Sequence, residues 1–214
     1  MNKILVIAAH PDDEILGLGS TLHKHALSGD KIYCLILGEG AICRETERGN
    51  LIKQSREAAK IIGFRNIQFE CLPDNKFDTI PLLEICRIVE RHVKEICPDI
   101  IYTHFKGDLN IDHRLTYQAV ITACRPGCST VKEIYAFETP SSTEWGEGFR
   151  PNVFSEIGEI ELGRKFAALK CYETEIGESP HPRSIQALMS RAEYWGQLAG
   201  VKLAEAFELV KKIN

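Results

Sequence analysis

The apolar positions of this chain fall into two patterns that alternate along its length. Lys3-Ile4-Leu5-Val6-Ile7 is a continuous apolar run rich in β-branched residues; Lys31 to Leu37, Asp99 to Thr103 and Glu133 to Phe137 are further apolar runs, and Asn66 to Leu72 is a shorter strand candidate. Runs of this kind read as strands, buried on both faces where they are continuous, as in a parallel sheet. Between them the apolar residues recur at helical spacing, which predicts helices over Glu14 to Leu27, Asn50 to Ile62, the stretch after Thr79 up to Cys97, and His113 to Ala123. Gly63 stops the second helix, Thr79 is the expected cap of the third with Pro81 in its first turn, and Asp112 lies near the start of the fourth. The segment from near Tyr194 to Lys212 reads as a C-terminal helix. Strand–helix alternation predicts an α/β, Rossmann-like fold: a mostly parallel twisted sheet with helices on both faces and right-handed crossovers.

The 214 residues are expected to form one domain, spanning 1–214, large enough for a real core. A net charge of -4, with no Lys/Arg block, argues against a nucleic-acid binder. No apolar run has the length of a transmembrane segment, and the first strand begins within two residues of Met1, which predicts a cytoplasmic protein. In that compartment the eight cysteines behave as small hydrophobes rather than as a disulfide framework. Cys124 and Cys128 are the one close pair, and they lack the second pair and nearby His that a structural zinc site needs.

Chemistry concentrates where strands end. Ala8-Ala9-His10-Pro11-Asp12-Asp13-Glu14 places one His and three carboxylates at the carboxyl end of the first strand, where open α/β sheets bind ligands. Capping of the next helix accounts for the acids but not for His-Pro. The fourth predicted strand leads into a second such stretch, His104-Phe105-Lys106-Gly107-Asp108-Leu109-Asn110-Ile111-Asp112-His113-Arg114, at the same sheet edge. His10-x-x-Asp13 with a distant His113 fits three protein ligands around Zn²⁺, with a fourth position for water. Asp12 adjoins a ligand and is the candidate general base for attack on a carbonyl substrate such as an amide.

Other stretches offer substrate contacts. Arg44 and Arg48 are a candidate basic clamp or a solvated face. Ser141-Ser142-Thr143-Glu144-Trp145 combines hydroxyls, a carboxylate (Glu144) and an indole (Trp145) suited to a polyol, although a plain loop explains it equally. Ser179-Pro180-His181-Pro182-Arg183-Ser184 is a stiff connector between helices that could present His181 and Arg183 to the site.

Ala9-His10-Pro11-Asp12-Asp13-Glu14, together with Asp108-x-Asn110-x-Asp112-His113-Arg114, resembles the PIG-L/LmbE-like N-deacetylases over most of the chain. The resemblance implies a zinc-dependent enzyme that removes acetyl from an N-acetylglucosamine-type sugar or conjugate. It implies His10, Asp13 and His113 as zinc ligands, Asp12 as base, and a Rossmann-like fold. Fe²⁺, Co²⁺ or Mn²⁺ suit similar ligands. The family's oligomeric states vary, so a homo-oligomer stays open.

One departure stands out. Several members carry a His three residues before the last ligand, polarising the oxyanion and oriented by the Asp between them; here that position is Asn110, with Asp112 kept. Asn110 could donate through its amide, or His104 or His181 could fold in; His104 is the first expectation. The alternatives to an N-deacetylase are a metal-dependent phosphoesterase and a non-catalytic sugar- or nucleotide-binding module. Fold alone does not choose among these.

Overall fold

A computed structural model of the chain describes residues 1–38, 45–172 and 175–213, and all structural statements refer to these. The elements are β1 (Lys3–Ala8), α1 (Asp13–Leu27), β2 (Lys31–Gly38), α2 (Glu45–Ile62), β3 (Asn66–Leu72), α3 (Leu82–Ile96) and β4 (Ile100–His104). They continue as α4 (Ile111–Ala123), β5 (Glu133–Phe137), β6 (Val153–Glu156), α5 (Glu159–Leu169), α6 (Ile185–Ala199) and β7 (Ala204–Lys212). The fold is α/β and Rossmann-like, as the alternation predicts.

Seven strands form one sheet in the order β3-β2-β1-β4-β5-β7-β6. The β1–β5 pairings are parallel, whereas β7 runs antiparallel to both β5 and β6. Strand order reverses between β1 and β4, so the loops leaving those two strands diverge and open a crevice there. Along β1, Ile4, Val6 and Ala8 pack under α1, α2 and α5, while Leu5, Ile7 and the following Ala9 pack under α3 and α4. All six are fully buried, so β1 is apolar on both faces and is a rigid base for the loop that follows.

The C-terminal segment corrects the sequence reading. It is not one helix from Tyr194 to Lys212. Helix α6 stops at Gly200, whose φ of 76° is left-handed. After a turn the chain becomes β7, inserted between β5 and β6. Alternation in Ala204-Glu205-Ala206-Phe207-Glu208 fits a strand, but the Ala, Glu, Leu and Lys content mimics a helix. β6 has no counterpart in the sequence reading, and α5 is implied there only as the helix before the Ser179 to Ser184 connector. Thr79 is also corrected: it lies in a 3-10 turn, its hydroxyl donating to Lys76 O, and Pro81 directly precedes α3. Helix α2 starts at Glu45, earlier than the expected Asn50.

Helix α1 is interrupted at Leu18, where φ is -148° and ψ is 19°. The Ser20 and Thr21 N–H groups beyond the break donate to the Glu205 carboxylate at 3.2 and 2.7 Å. Lys165 Nζ completes this buried knot, 2.7 Å from Glu205 Oε1. A strand that the sequence pattern hid therefore caps the helix that carries the first chemical motif.

Candidate active site

His10 and Asp13 leave the carboxyl end of β1, and His113 lies in the first turn of α4, after β4. Three of their atoms form a nearly equilateral triangle. His10 Nδ1 is 3.4 Å from Asp13 Oδ2, His113 Nε2 is 3.3 Å from the same oxygen, and the two nitrogens are 3.3 Å apart. Tetrahedral coordination at about 2.1 Å separates neighbouring ligand atoms by about 3.4 Å. The donor set thus fits a divalent cation in size as well as type. Asp13 Oδ1, buried, has no hydrogen-bond partner among the described residues.

A carboxylate stands behind each imidazole, hydrogen-bonded to His10 and ion-paired to His113. His10 Nε2 lies 3.0 Å from Asp112 Oδ2 and 3.1 Å from Asp74 Oδ1. His113 Nδ1 lies 3.1 Å from Asp108 Oδ1. Asp108 in turn accepts from the Ser142 and Thr143 hydroxyls and from the Asn110 N–H. With the outer nitrogens carrying protons, lone pairs on His10 Nδ1 and His113 Nε2 converge with Asp13 Oδ2. Three acceptors this close repel unless a cation sits among them. Burial opposes charge on both rings, yet Asp112 and Asp13 raise the His10 pKa to about 10, and Asp13 and Asp108 raise His113 to about 9. Burial also opposes charge on Asp13, but His113 and His10 hold it well below the usual carboxylate range. The cluster attracts positive charge strongly.

Asp12 adopts a φ of 98°, a conformation L residues rarely take, and is almost fully buried. Its N–H donates to Glu14 Oε2 at 3.1 Å, and its Oδ2 accepts from Arg183 Nη1 at 2.8 Å. Burial pushes its pKa up, against the pull of Arg183. Glu14 also accepts the Tyr172 hydroxyl at 3.0 Å, and burial lifts its own pKa to about 7. The triangle of His10, Asp13 and His113 and the side chain of Asp12 open onto one cavity of about 160 Å³.

Of the residues singled out from sequence, His10, Asp12, Asp13, Asn110, His113 and Arg183 line this cavity, and Asp112 stands directly behind His10. His104 does not reach it. The ring is fully buried, stacked 3.9 Å from His113. Its Nε2 accepts the Ala9 N–H at 2.9 Å and its Nδ1 lies 3.2 Å from Thr139 Oγ1. Both nitrogens are engaged, so the expectation of His104 as oxyanion donor is corrected: it props the end of β1. Asn110 caps α4, its side-chain oxygen accepting the Asp112 N–H, while its amide donates to Asn75 Oδ1 at 3.2 Å.

His181 is exposed and accepts the Arg183 N–H on Nδ1. Glu144 pairs with Arg191, and Trp145 is 75% exposed; none of these three lines the cavity. Arg44 lies outside the described residues, and nothing is described of the Arg48 side chain. Asp74, Asp108 and Glu14 were not assigned roles from sequence. Asp74 follows β3 at the same sheet edge, and that position was the available signal.

Comparison with known proteins bears on what this site is. Residues 5–124 match the PIG-L family, described as GlcNAc-PI de-N-acetylase. The uncharacterized deacetylase YaiS of Escherichia coli K12 is 32% identical over 182 residues, 80% of this chain and 90% of YaiS. The diacetylchitobiose deacetylase of Thermococcus kodakarensis is 24% identical, covering 100% of this chain and 85% of that protein. The structure of N,N'-diacetylchitobiose deacetylase from Pyrococcus horikoshii matches with a TM-score of 0.80 at 18% identity, over 98% of this chain and 84% of that one, a likeness of fold. With the family match spanning more than half its length, and with His10, Asp12, Asp13 and His113 inside that span, the chain belongs to the PIG-L family of de-N-acetylases.

Proposed function

We propose that the chain is a metal-dependent N-deacetylase, an amide hydrolase that removes acetyl from an acetamido sugar or sugar conjugate. The observation that carries this reading is the triangle of His10 Nδ1, Asp13 Oδ2 and His113 Nε2, with the Asp12 carboxylate in the same cavity. Membership of the family and two relatives named as deacetylases support it.

On this reading His10, Asp13 and His113 hold the ion, Zn²⁺ by the mixed nitrogen and oxygen donor set, with Fe²⁺, Co²⁺ or Mn²⁺ as alternatives. Such an ion acidifies water and polarises a carbonyl. Asp12 takes a proton from the attacking water and returns it to the departing nitrogen. Asp112 and Asp108 fix the imidazoles so that their inner lone pairs face the ion. A cavity of about 160 Å³ accommodates the acetamido group rather than a whole conjugate. Asn75, Asn110 and Ser142 on its wall offer hydrogen bonds to sugar hydroxyls. Glu144, Trp145 and His181 then meet the outer part of the substrate. No described helix is long and apolar enough to cross a membrane.

A two-metal phosphoesterase is disfavoured. The second cluster that could hold an ion among the described residues is His10, Asp74 and Asp112, and it shares His10 with the first. The test is acetate release from N-acetylglucosamine and N,N'-diacetylchitobiose by zinc-loaded protein. Asp12→Asn is expected to abolish release while retaining metal; undiminished release by that variant contradicts the assignment.

A further inference from the structure

Amide hydrolysis develops charge on the carbonyl oxygen, and a hydrogen-bond donor aimed at that oxygen adds to what a bound ion supplies. Asn110 stands where a second His was expected, His104 is locked behind the site, and His181 faces solvent. Among the described residues lining the cavity, Asp12, Asp13, Asp74 and Glu175 are acids, and Arg183 is the single Lys or Arg.

Arg183 enters from the loop between α5 and α6, just before Ser184 caps α6 by accepting the Ala187 N–H at 3.2 Å. Its Nε donates to Ser141 Oγ at 2.8 Å; its Nη1 donates to Asp12 Oδ2 at 2.8 Å and approaches Glu175 Oε2 at 3.4 Å. These contacts fix the plane of a guanidinium whose side chain is 19% exposed. Its Nη2, with two N–H groups, has no hydrogen-bond partner among the described residues. A planar fork can hold a carboxylate with one arm and an oxyanion with the other, whereas an ammonium cannot fix both in one plane.

We infer that Arg183 is the oxyanion donor of the deacetylation proposed above, on which this inference rests, and that the same guanidinium positions Asp12. Water oxygen adds to the acetamide carbon as Asp12 takes one of its protons. The carbonyl π pair moves to oxygen, and Arg183 Nη2 donates to it. When that pair re-forms the carbonyl, the C–N bond breaks with its electrons on nitrogen, which takes the proton from Asp12. The acid proton of the product passes to the amine, leaving acetate and an ammonium.

Arg183→Met and Arg183→Lys, zinc-loaded, test this on the acetamido sugar that the unaltered protein turns over. Arg183→Met is expected to lower kcat by about 10²–10³-fold while KM moves less than about threefold. Zinc content should stay as in the unaltered protein, while the melting temperature should fall because buried Asp12 loses its ion-pair partner. The methylphosphonamidate of the amino sugar, a tetrahedral anion, should lose affinity by the same factor as kcat/KM, and the product amine should not. Arg183→Lys should recover part of kcat. An Arg183→Met variant with unaltered kcat, or with phosphonamidate and amine affinities falling together, overturns the inference. Should Arg183→Met unfold, Arg183→Lys carries the test, and full turnover by it is equally fatal. Absence of acetate release by the unaltered protein instead overturns the deacetylase reading, and phosphonamidate affinity then still reports on Arg183.

Discussion

Asp112 ties His10 to a distant loop: its Oδ2 lies 3.0 Å from His10 Nε2, and its Oδ1 accepts the Phe77 N–H at 3.0 Å. With the Nε2 proton shared with Asp112, His10 Nδ1 is left with a lone pair facing Asp13 Oδ2 and His113 Nε2. Outer-shell carboxylates of this kind are worth about 10–100-fold in metal affinity. Asp112→Asn is therefore expected to weaken zinc binding by about that factor with the fold intact. Titration against a chelator of known affinity checks it; unchanged affinity would show that Asp74 alone suffices.

Asp108 makes a prediction in pH. Burial would raise its pKa, but His113 and the Ser142 and Thr143 hydroxyls outweigh burial and bring it down to about 2. A carboxylate depressed in the folded state contributes stability above its unfolded pKa and loses it as pH falls through the folded value. The window is therefore roughly pH 4 to 2. In metal-stripped protein, Asp108→Asn should be less stable at neutral pH, and its stability should fall by on the order of 2 kcal/mol less across that window. Urea unfolding at stepped pH measures this. Parallel curves for the two proteins would contradict it.

The buried pair of Lys165 and Glu205 carries more than its own charge, because Glu205 also takes the Ser20 and Thr21 N–H groups beyond the break in α1. Glu205→Leu leaves a buried ammonium unpaired, and about 3–5 kcal/mol of stability should go. Lys165→Met together with Glu205→Leu should recover only part of that, since two helix N–H groups remain unsatisfied. Full recovery in chemical denaturation would mean that Glu205 does not cap α1.

Gly38 tests how closely the β2 terminus supports the site. Its N–H donates to Ala9 O at 2.7 Å, and an added Cβ would lie 2.7 Å from that oxygen and 3.3 Å from His10 Cδ2. Backbone cannot yield there without moving His10. Gly38→Ala is expected to lower melting temperature and zinc affinity together, while Gly148→Ala, with open space at its Cβ, should change neither. A Gly38→Ala protein that melts earlier but binds zinc normally would separate fold from site.

The order of legibility follows from physics. β1 and β4 could be read because both faces are buried, which leaves near-continuous apolar runs; His10 and Asp13 follow β1 closely, and His113 lies in the first turn of the helix after β4. β7 could not, because Ala204 to Lys212 carries helix-favouring residues, and its strand state comes from pairing on both sides with β5 and β6. His104 was visible as a residue but not as a prop, because its role depends on which way the ring points after β4. Arg183 was visible in a stiff loop, yet its pairing with Asp12, 171 positions away, is a product of tertiary packing.

The central claim is that one ion, held by His10, Asp13 and His113, enables acetate release with Asp12 as base. The most direct measurement is the initial rate of acetate release from N-acetylglucosamine and N,N'-diacetylchitobiose as zinc is titrated into metal-stripped protein. The account predicts no release without metal, a rise that saturates at one equivalent, and no rise at all in His113→Ala or Asp12→Asn. Release that proceeds without metal, or that survives loss of His113, would contradict it.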